Sequence, residues 1–208
     1  MLISGRGSNL QAIIDAIAAG RLNATIAVVV SNRSDAAGLQ RARAAGIEAL
    51  CLSPRDYLDR PAYDQAIVDH LRTRDVRLIC LAGFMRLVGA PLLEAFPNRI
   101  LNIHPSLLPA FPGLDAQRQA LEHGVRVSGA TVHLVGSEVD NGPIVLQAAV
   151  PVLDTDTVET LSARILVEEH RLYPEAIQIV LDGRWKVEGR KFMRLPAEAS
   201  ATPLQAGS

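Results

Sequence analysis

Apolar residues fall into two rhythms along this chain. Five short runs, Leu2–Ser4, Ile26–Ser31, Ile47–Leu52, Leu78–Ala82 and Ile100–His104, read as strands. Four are rich in Val, Ile or Leu without alternation, as strands buried on both faces are. The segments between them read as helices. Ser8–Ala19 opens on Ser-Asn-Leu-Gln, a capping-box pattern, carries Leu10, Ile13, Ile14 and Ile17 at helical spacing, and stops at Gly20. Ala37–Ala45 closes at Gly46; Arg60–Thr73 has Asp59 as N-cap and Pro61 in its first turn; a shorter helix covers Pro91–Phe96. Strand–helix alternation over about 100 residues predicts an α/β fold: a Rossmann-like, doubly wound, mostly parallel sheet with helices on both faces and right-handed crossovers.

After Leu114 the texture changes. A short helix, Ala116–His123, leads to Val127–Val135 and Ile144–Val152, two strands that extend the sheet, at least one of them antiparallel, around the loop Gly136–Pro143. Asp156-x-x-Glu159 is expected to cap a last helix from Thr157 to Leu181, with Pro174 kinking or interrupting it. The chain reads as one domain over residues 1–190, its halves at 1–100 and 101–190, with a disordered tail expected over residues 196–208. The opening MLISGRGSNL lacks the basic start and apolar stretch of a signal peptide and reads as the end of a shortened first strand running into a turn.

Composition narrows the function. Of 208 residues, 49% are hydrophobic and 21% charged, which is globular composition. Twenty-one Lys and Arg against 22 Asp and Glu leave a net charge of −1, which argues against a nucleic-acid coat, and eight aromatics (4 Phe, 3 Tyr, 1 Trp) are too few for a base-stacking platform. No apolar stretch approaches the roughly 20 residues of a membrane span. Two cysteines, Cys51 and Cys80, make neither a disulfide scaffold nor a Cys-based zinc site, and read as buried free thiols of a cytoplasmic protein.

Ligands in open α/β sheets bind at the carboxyl ends of the strands, so the residues after each strand carry the chemistry. The first strand runs into Ser4-Gly5-Arg6-Gly7-Ser8-Asn9. This loop is either an anion cradle at a helix N-terminus or a tight turn with an ordinary Ser cap; it is neither a dinucleotide fingerprint nor a Walker loop. At the end of the fifth strand, Asn102 and His104 are two residues apart and project to one side. Asn is a neutral donor for a developing oxyanion, and His an acid or base near neutral pH. Pro105, Pro109 and Pro112 stiffen the exit. The loop Gly136–Pro143 is a solvated hairpin or carries a carboxylate into the cleft; it lacks an EF-hand pattern, and no metal is expected.

Gly5-Arg6-Gly7-Ser8-Asn9-Leu10-Gln11, Leu81-Ala82-Gly83-Phe84-Met85-Arg86, Asn102-Ile103-His104-Pro105-Ser106-Leu107-Leu108-Pro109 and Asp140-Asn141-Gly142-Pro143 occur in that order. Over residues 1–190 the chain resembles the phosphoribosylglycinamide formyltransferases, folate-dependent enzymes of purine synthesis. The Asn-x-His-x-Ser-Leu-Leu-Pro segment marks the wider formyltransferase superfamily; the glycine loop and Phe111–Leu114 point to the glycinamide branch. The resemblance implies transfer of a formyl group from the co-substrate 10-formyltetrahydrofolate to the amine of glycinamide ribonucleotide (GAR), by a monomer or homodimer that engages neither nucleic acid nor membrane. It assigns catalysis to Asn102, His104 and Asp140, with His104 acting best as an imidazolium that Asp140 keeps charged. It assigns GAR to Gly7, Ser8, Asn9 and Glu169. The folate falls to Arg60, Met85, Arg86, Leu87, Val88, Asn102 and the loop Gly136, Ser137, Glu138, Val139 and Asp140. Where the family often has histidines after Pro-Gly-Leu, this chain reads Asp115, Ala116 and Gln117. The rival readings are a 10-formyltetrahydrofolate hydrolase, a non-catalytic phosphosugar-binding protein and, more weakly, a nicotinamide dehydrogenase.

Overall fold

A computed structural model describes residues 1–196. The apolar runs assemble into one nine-stranded sheet of order β3-β2-β1-β4-β5-β6-β7-β9-β8. The parallel part consists of β1 (Leu2–Ile3), β2 (Val29–Ser31), β3 (Ala49–Cys51), β4 (Ile79–Leu81) and β5 (Ile100–His104). Neighbouring residues in these strands separate onto opposite faces. Ile3, Val29, Cys80 and Leu101 enter one core with α1 (Ser8–Ala18), α2 (Ala37–Ala44), α5 (Ala116–Glu122) and α6 (Val158–Leu181). Leu2, Val30, Ile79 and Ile100 enter the other with α3 (Arg60–Arg72) and α4 (Ala90–Ala95). Burial on both faces explains why the strands read as unbroken apolar runs. Tyr173 of α6 pins the first core to the sheet, its hydroxyl reaching the carbonyls of Leu81 and Leu101 at 2.9 and 3.1 Å.

The strands β6 (Val127–Leu134) and β7 (Ile144–Pro151) extend the sheet, both in antiparallel pairing. Beyond them lies a hairpin of β8 (Trp185–Glu188) and β9 (Lys191–Arg194), where the sequence reading placed no element. The expected tail from Pro196 falls, past that residue, outside the described residues.

Several local expectations need correction. The first four strands are shorter than their apolar runs, because ladder pairing covers only part of each. The N-cap of α1 is Gly7 in left-handed backbone (φ 71°), and no side chain caps the helix, so the Ser8–Gln11 capping box does not form. The box of α6 lies one residue later than expected: Thr157 and Thr160 bond reciprocally at 3.3 and 2.9 Å. Asp156 instead accepts from Leu153 N–H and Arg164, which hold its carboxyl far below the usual range. The helix runs through Pro174 without interruption, because buried Leu172, Tyr173, Ala176 and Ile177 hold it to the core on both sides. Cys51 is exposed at the end of β3, whereas burial pushes the Cys80 thiol up to about 11. Asp59 caps α3 as expected, accepting from Ala62 N–H at 2.8 Å.

Candidate active site

The strand order reverses between β1 and β4, and the segments leaving these two strands part there, as at the ligand crevices of open α/β sheets. Ser4 ties the crevice together: its hydroxyl donates to Asn32 Oδ1 (2.6 Å) and accepts from Met85 N–H (2.8 Å). From β1 the chain enters the glycine loop. A Cβ on Gly7 would lie 2.7 Å from Gly38 Cα, so the loop packs directly against the start of α2. Only glycine combines that approach with the left-handed turn. Arg41 of α2 braces the loop, its Nε donating to the Arg6 carbonyl at 3.0 Å. With no side-chain cap, the first turn of α1 presents its backbone N–H groups and the positive end of its dipole. A cavity of about 520 Å³ opens beside it, lined in part by Ser8, Gln11, Arg41, His170 and Arg171.

Asn9 and Glu169 are joined across 160 residues, Asn9 Nδ2 donating to Glu169 Oε2 at 2.7 Å. The Asn9 amide therefore turns inward and does not add an outward donor, while burial pushes the Glu169 carboxyl up against the pull of Asn9.

At the end of β5, Asn102, His104 and Asp140 meet as expected. His104 Nδ1 lies 3.3 Å from Asp140 Oδ2, and Asn102 Nδ2 donates to Asp140 Oδ1 at 3.4 Å. Asp140 reaches the pair from the β6–β7 loop with its backbone left-handed (φ 49°), a conformation aspartate tolerates, and accepts from Gly113 N–H at 2.8 Å. His104 Nε2 donates to the carbonyl of Phe111 at 2.8 Å. Phe111 is itself left-handed (φ 53°), a strained state for a bulky residue and of the kind that gathers at functional sites. Burial lowers the pKa of His104; the Phe111 carbonyl and Asp140 pull it back only in part. Burial thus works against the charge that Asp140 is expected to maintain, while both ring nitrogens face acceptors, the Phe111 carbonyl and Asp140 Oδ2. Burial also raises the Asp140 carboxyl, but its hydrogen-bonded and charged surroundings, the Gly113 N–H and His104 among them, hold it below the usual range.

Sequence reasoning missed the residues that hold this group in place. Thr131 Oγ1 donates to the Ser106 carbonyl (2.7 Å) and accepts from Leu108 N–H (3.0 Å), and Gln147 donates to the Leu108 carbonyl (2.9 Å). Thr131 and His133 stand opposite His104 and Asn102 in the ladder. Only the strand register would have revealed Thr131, whereas His133 could be placed near the site from its strand alone.

Of the residues assigned to folate, Arg60 and Met85–Val88 follow β3 and β4, and Gly136–Asp140 lie in the β6–β7 loop that carries Asp140 to His104. Met85 and Leu87 are 68% and 57% exposed and Val139 is 51% exposed, unusual for apolar side chains of this size. Val88 and Val135, at the roots of the two segments, pack on one buried cluster with Phe84 and Ile100. Arg86 lies over the Tyr63 ring at 5.2 Å. Arg60, half exposed at the start of α3, has its Nε 3.9 Å from Asp64 Oδ2, and Asp64 accepts from Gly89 N–H. A larger cavity, about 620 Å³, lies elsewhere, lined in part by Ala27, Val28, Arg77 and Leu78, the residues that lead into β2 and β4; none of the assigned side chains reaches it. Among the described residues, no helix is long and apolar enough to cross a membrane.

Comparison with known proteins bears on this arrangement. The formyl transferase family matches residues 1–177. A phosphoribosylglycinamide formyltransferase of Escherichia coli (strain K12) is 45% identical over 187 residues, covering 90% of this chain and 88% of that protein. The crystal structure of glycinamide ribonucleotide transformylase 1 from Symbiobacterium toebii superimposes with a TM-score of 0.92 at 62% identity, over 94% of this chain and 92% of that one. The trifunctional purine biosynthetic protein adenosine-3 of Drosophila pseudoobscura pseudoobscura is 49% identical over 185 residues, 88% of this chain but only 14% of its own length. Both the sequence match and the fold, with an Asn–His–Asp group at the carboxyl end of its fifth strand, lead to one assignment: the chain belongs to the formyl transferase family.

Proposed function

We propose that this protein transfers the formyl group of 10-formyltetrahydrofolate to the amine of 5-phosphoribosylglycinamide, giving the N-formyl product and tetrahydrofolate. The observation that carries the proposal is the convergence of Asn102, His104 and Asp140 at the end of β5, two strands from the uncapped start of α1. The proposal assigns the ribonucleotide phosphate to the N–H groups of Gly7, Ser8 and Asn9, and the sugar to Glu169, which Asn9 holds in place. It assigns the folate to Arg60, to Met85–Val88 and to the loop Gly136–Asp140.

In this reading the amine attacks the formyl carbon, and the C=O becomes a tetrahedral oxyanion. Asn102 turns one amide N–H from Asp140 to that oxygen; the contact is long at 3.4 Å and cheap to exchange. The His104 Nε2–H, held on the Phe111 carbonyl at rest, is a second donor within the group. The attacking nitrogen loses a proton and the leaving nitrogen gains one as the carbon–nitrogen bond breaks. His104 takes up the first at Nδ1, where Asp140 stabilises the transient imidazolium, and delivers the second from Nε2 as that nitrogen leaves the Phe111 carbonyl.

Incubating the protein with the 10-formyl donor separates this from hydrolysis. The expected result is formylated GAR and tetrahydrofolate in equal amounts, only when GAR is present. Formate release that ignores the amine overturns the proposal in favour of a hydrolase; binding of both compounds without turnover favours a phosphosugar-binding protein.

A further inference from the structure

On the formyl-transfer reading, Asn102 must present one N–H to the oxyanion, yet a side chain with no task so far presses on its amide. His133 stands directly opposite Asn102 in the β5–β6 ladder and is 2% exposed. It also sits where β6 shifts register against β7, between Val132 and His133. Irregularities of this kind re-aim a side chain and recur beside active sites.

The two nitrogens of the His133 ring face different neighbours. Nδ1 lies 3.0 Å from the Leu134 carbonyl, which only accepts, so Nδ1 carries the hydrogen. In the neutral ring Nε2 is then a lone pair, and it lies 3.2 Å from Asn102 Nδ2. Asp140 Oδ1, also only an acceptor, lies 3.4 Å from the same amide nitrogen and 3.5 Å from Nε2. Two acceptors face each other, and the two hydrogens of the Asn102 amide satisfy both. Turning the amide over would set its oxygen against the carboxylate, so one orientation satisfies the whole group.

We propose that His133 is a positioning residue for Asn102: as the Nδ1–H tautomer it accepts one amide hydrogen at Nε2 and thereby aims the other at the developing oxyanion. The His133 bond is the shorter of the two, so the hydrogen on Asp140 is the one released when the transition state forms. Without the Nε2 acceptor, nothing opposes the pull of Asp140 on the amide.

The test compares His133→Leu with His133→Gln, whose Oε1 restores an acceptor, in wild-type and Asn102→Ala backgrounds. His133→Leu is expected to lower kcat about tenfold with little change in either KM, as loss of an interaction made in the transition state does. His133→Gln recovers most of that loss, and His133→Leu costs nothing further once Asn102 is alanine. Unchanged kcat in His133→Leu, no recovery in His133→Gln at wild-type stability, or a loss that repeats in full in the Asn102→Ala background overturns the proposal. If the unaltered protein moves no formyl group to GAR, the functional reading falls, and the positioning role is judged by imidazole ¹⁵N spectra alone. These are expected to show His133 as the Nδ1–H tautomer, with an Nε2 signal that moves in Asn102→Ala. An Nε2–H tautomer, or a signal indifferent to Asn102, overturns it. The His133→Gln and spectroscopic arms stand even if His133→Leu fails to fold.

Discussion

At the residue scale, His104 is governed by burial more than by its partner, and this has a consequence for stability. Its folded pKa lies below that of the unfolded chain, so the unfolded state binds the proton first as the pH falls. The contribution of neutral His104 is complete above about pH 6.5 and is lost as pH falls toward the lower folded value. Half-buried His170, lowered by the same cause, adds in the same direction, while Glu169, whose folded pKa is raised, opposes it as pH falls through that raised value. Urea unfolding between pH 7 and 5 should show stability falling with acid, and His104→Gln should make that fall shallower; an unchanged slope would mean that burial does not set the charge. For activity, His104→Ala and Asp140→Asn should each lower kcat on the order of 10²-fold, read by steady-state assay. The i, i+2 spacing made Asn102 and His104 legible in the sequence. Two groups that complete their hydrogen bonds were not: the Phe111 carbonyl and Gly113 N–H arrive through left-handed loop backbone, which no local pattern encodes, while His133 was legible as a strand histidine near the site but its pairing with Asn102 depends on the ladder register.

At the scale of elements, the glycine loop is the most constrained feature. Alanine at Gly7 meets both a left-handed φ, which costs a side chain roughly 1–2 kcal/mol, and a contact of 2.7 Å with the α2 backbone. Gly7→Ala should therefore destabilise the fold by more than the backbone term alone and raise the KM for GAR more than that for the folate, measured by urea unfolding and two-substrate kinetics. At the last helix, Thr157→Ala should cost about 1 kcal/mol of stability with kcat unchanged, which the same unfolding experiment reads. The sequence placed the first core helix within one residue but mistook its cap: the pattern Ser8-Asn9-Leu10-Gln11 supports a capping box only if Ser8 is extended, and Gly7 takes that place instead. The β8–β9 hairpin had a signal that went unused. Trp185-Lys186-Val187-Glu188 alternates with period two, and Gly189 turns left-handed after it.

At the scale of the molecule, the proposed reaction draws on two halves of different texture. The parallel half brings the glycine loop and the Met85–Val88 segment, with Met85 and Leu87 exposed, to the switch between β1 and β4; the antiparallel half returns Asp140 to the end of β5. Alternating strands and helices announced the parallel half because burial on both faces leaves unbroken apolar runs. Antiparallel closure was legible only as two Val- and Ile-rich strands around an acidic loop, since which carboxylate enters the cleft depends on the loop's path. The account stands on a geometric claim that one measurement reaches directly: a crystal structure of the protein with GAR and a non-transferring folate analogue. It predicts the phosphate on the backbone N–H groups of Gly7–Asn9, the folate against Met85–Val88 and Gly136–Asp140, and the amine beside His104 and Asn102. Either compound bound instead in the cavity lined by Ala27, Val28 and Leu78, with the Asn102–His104–Asp140 group untouched, would contradict it.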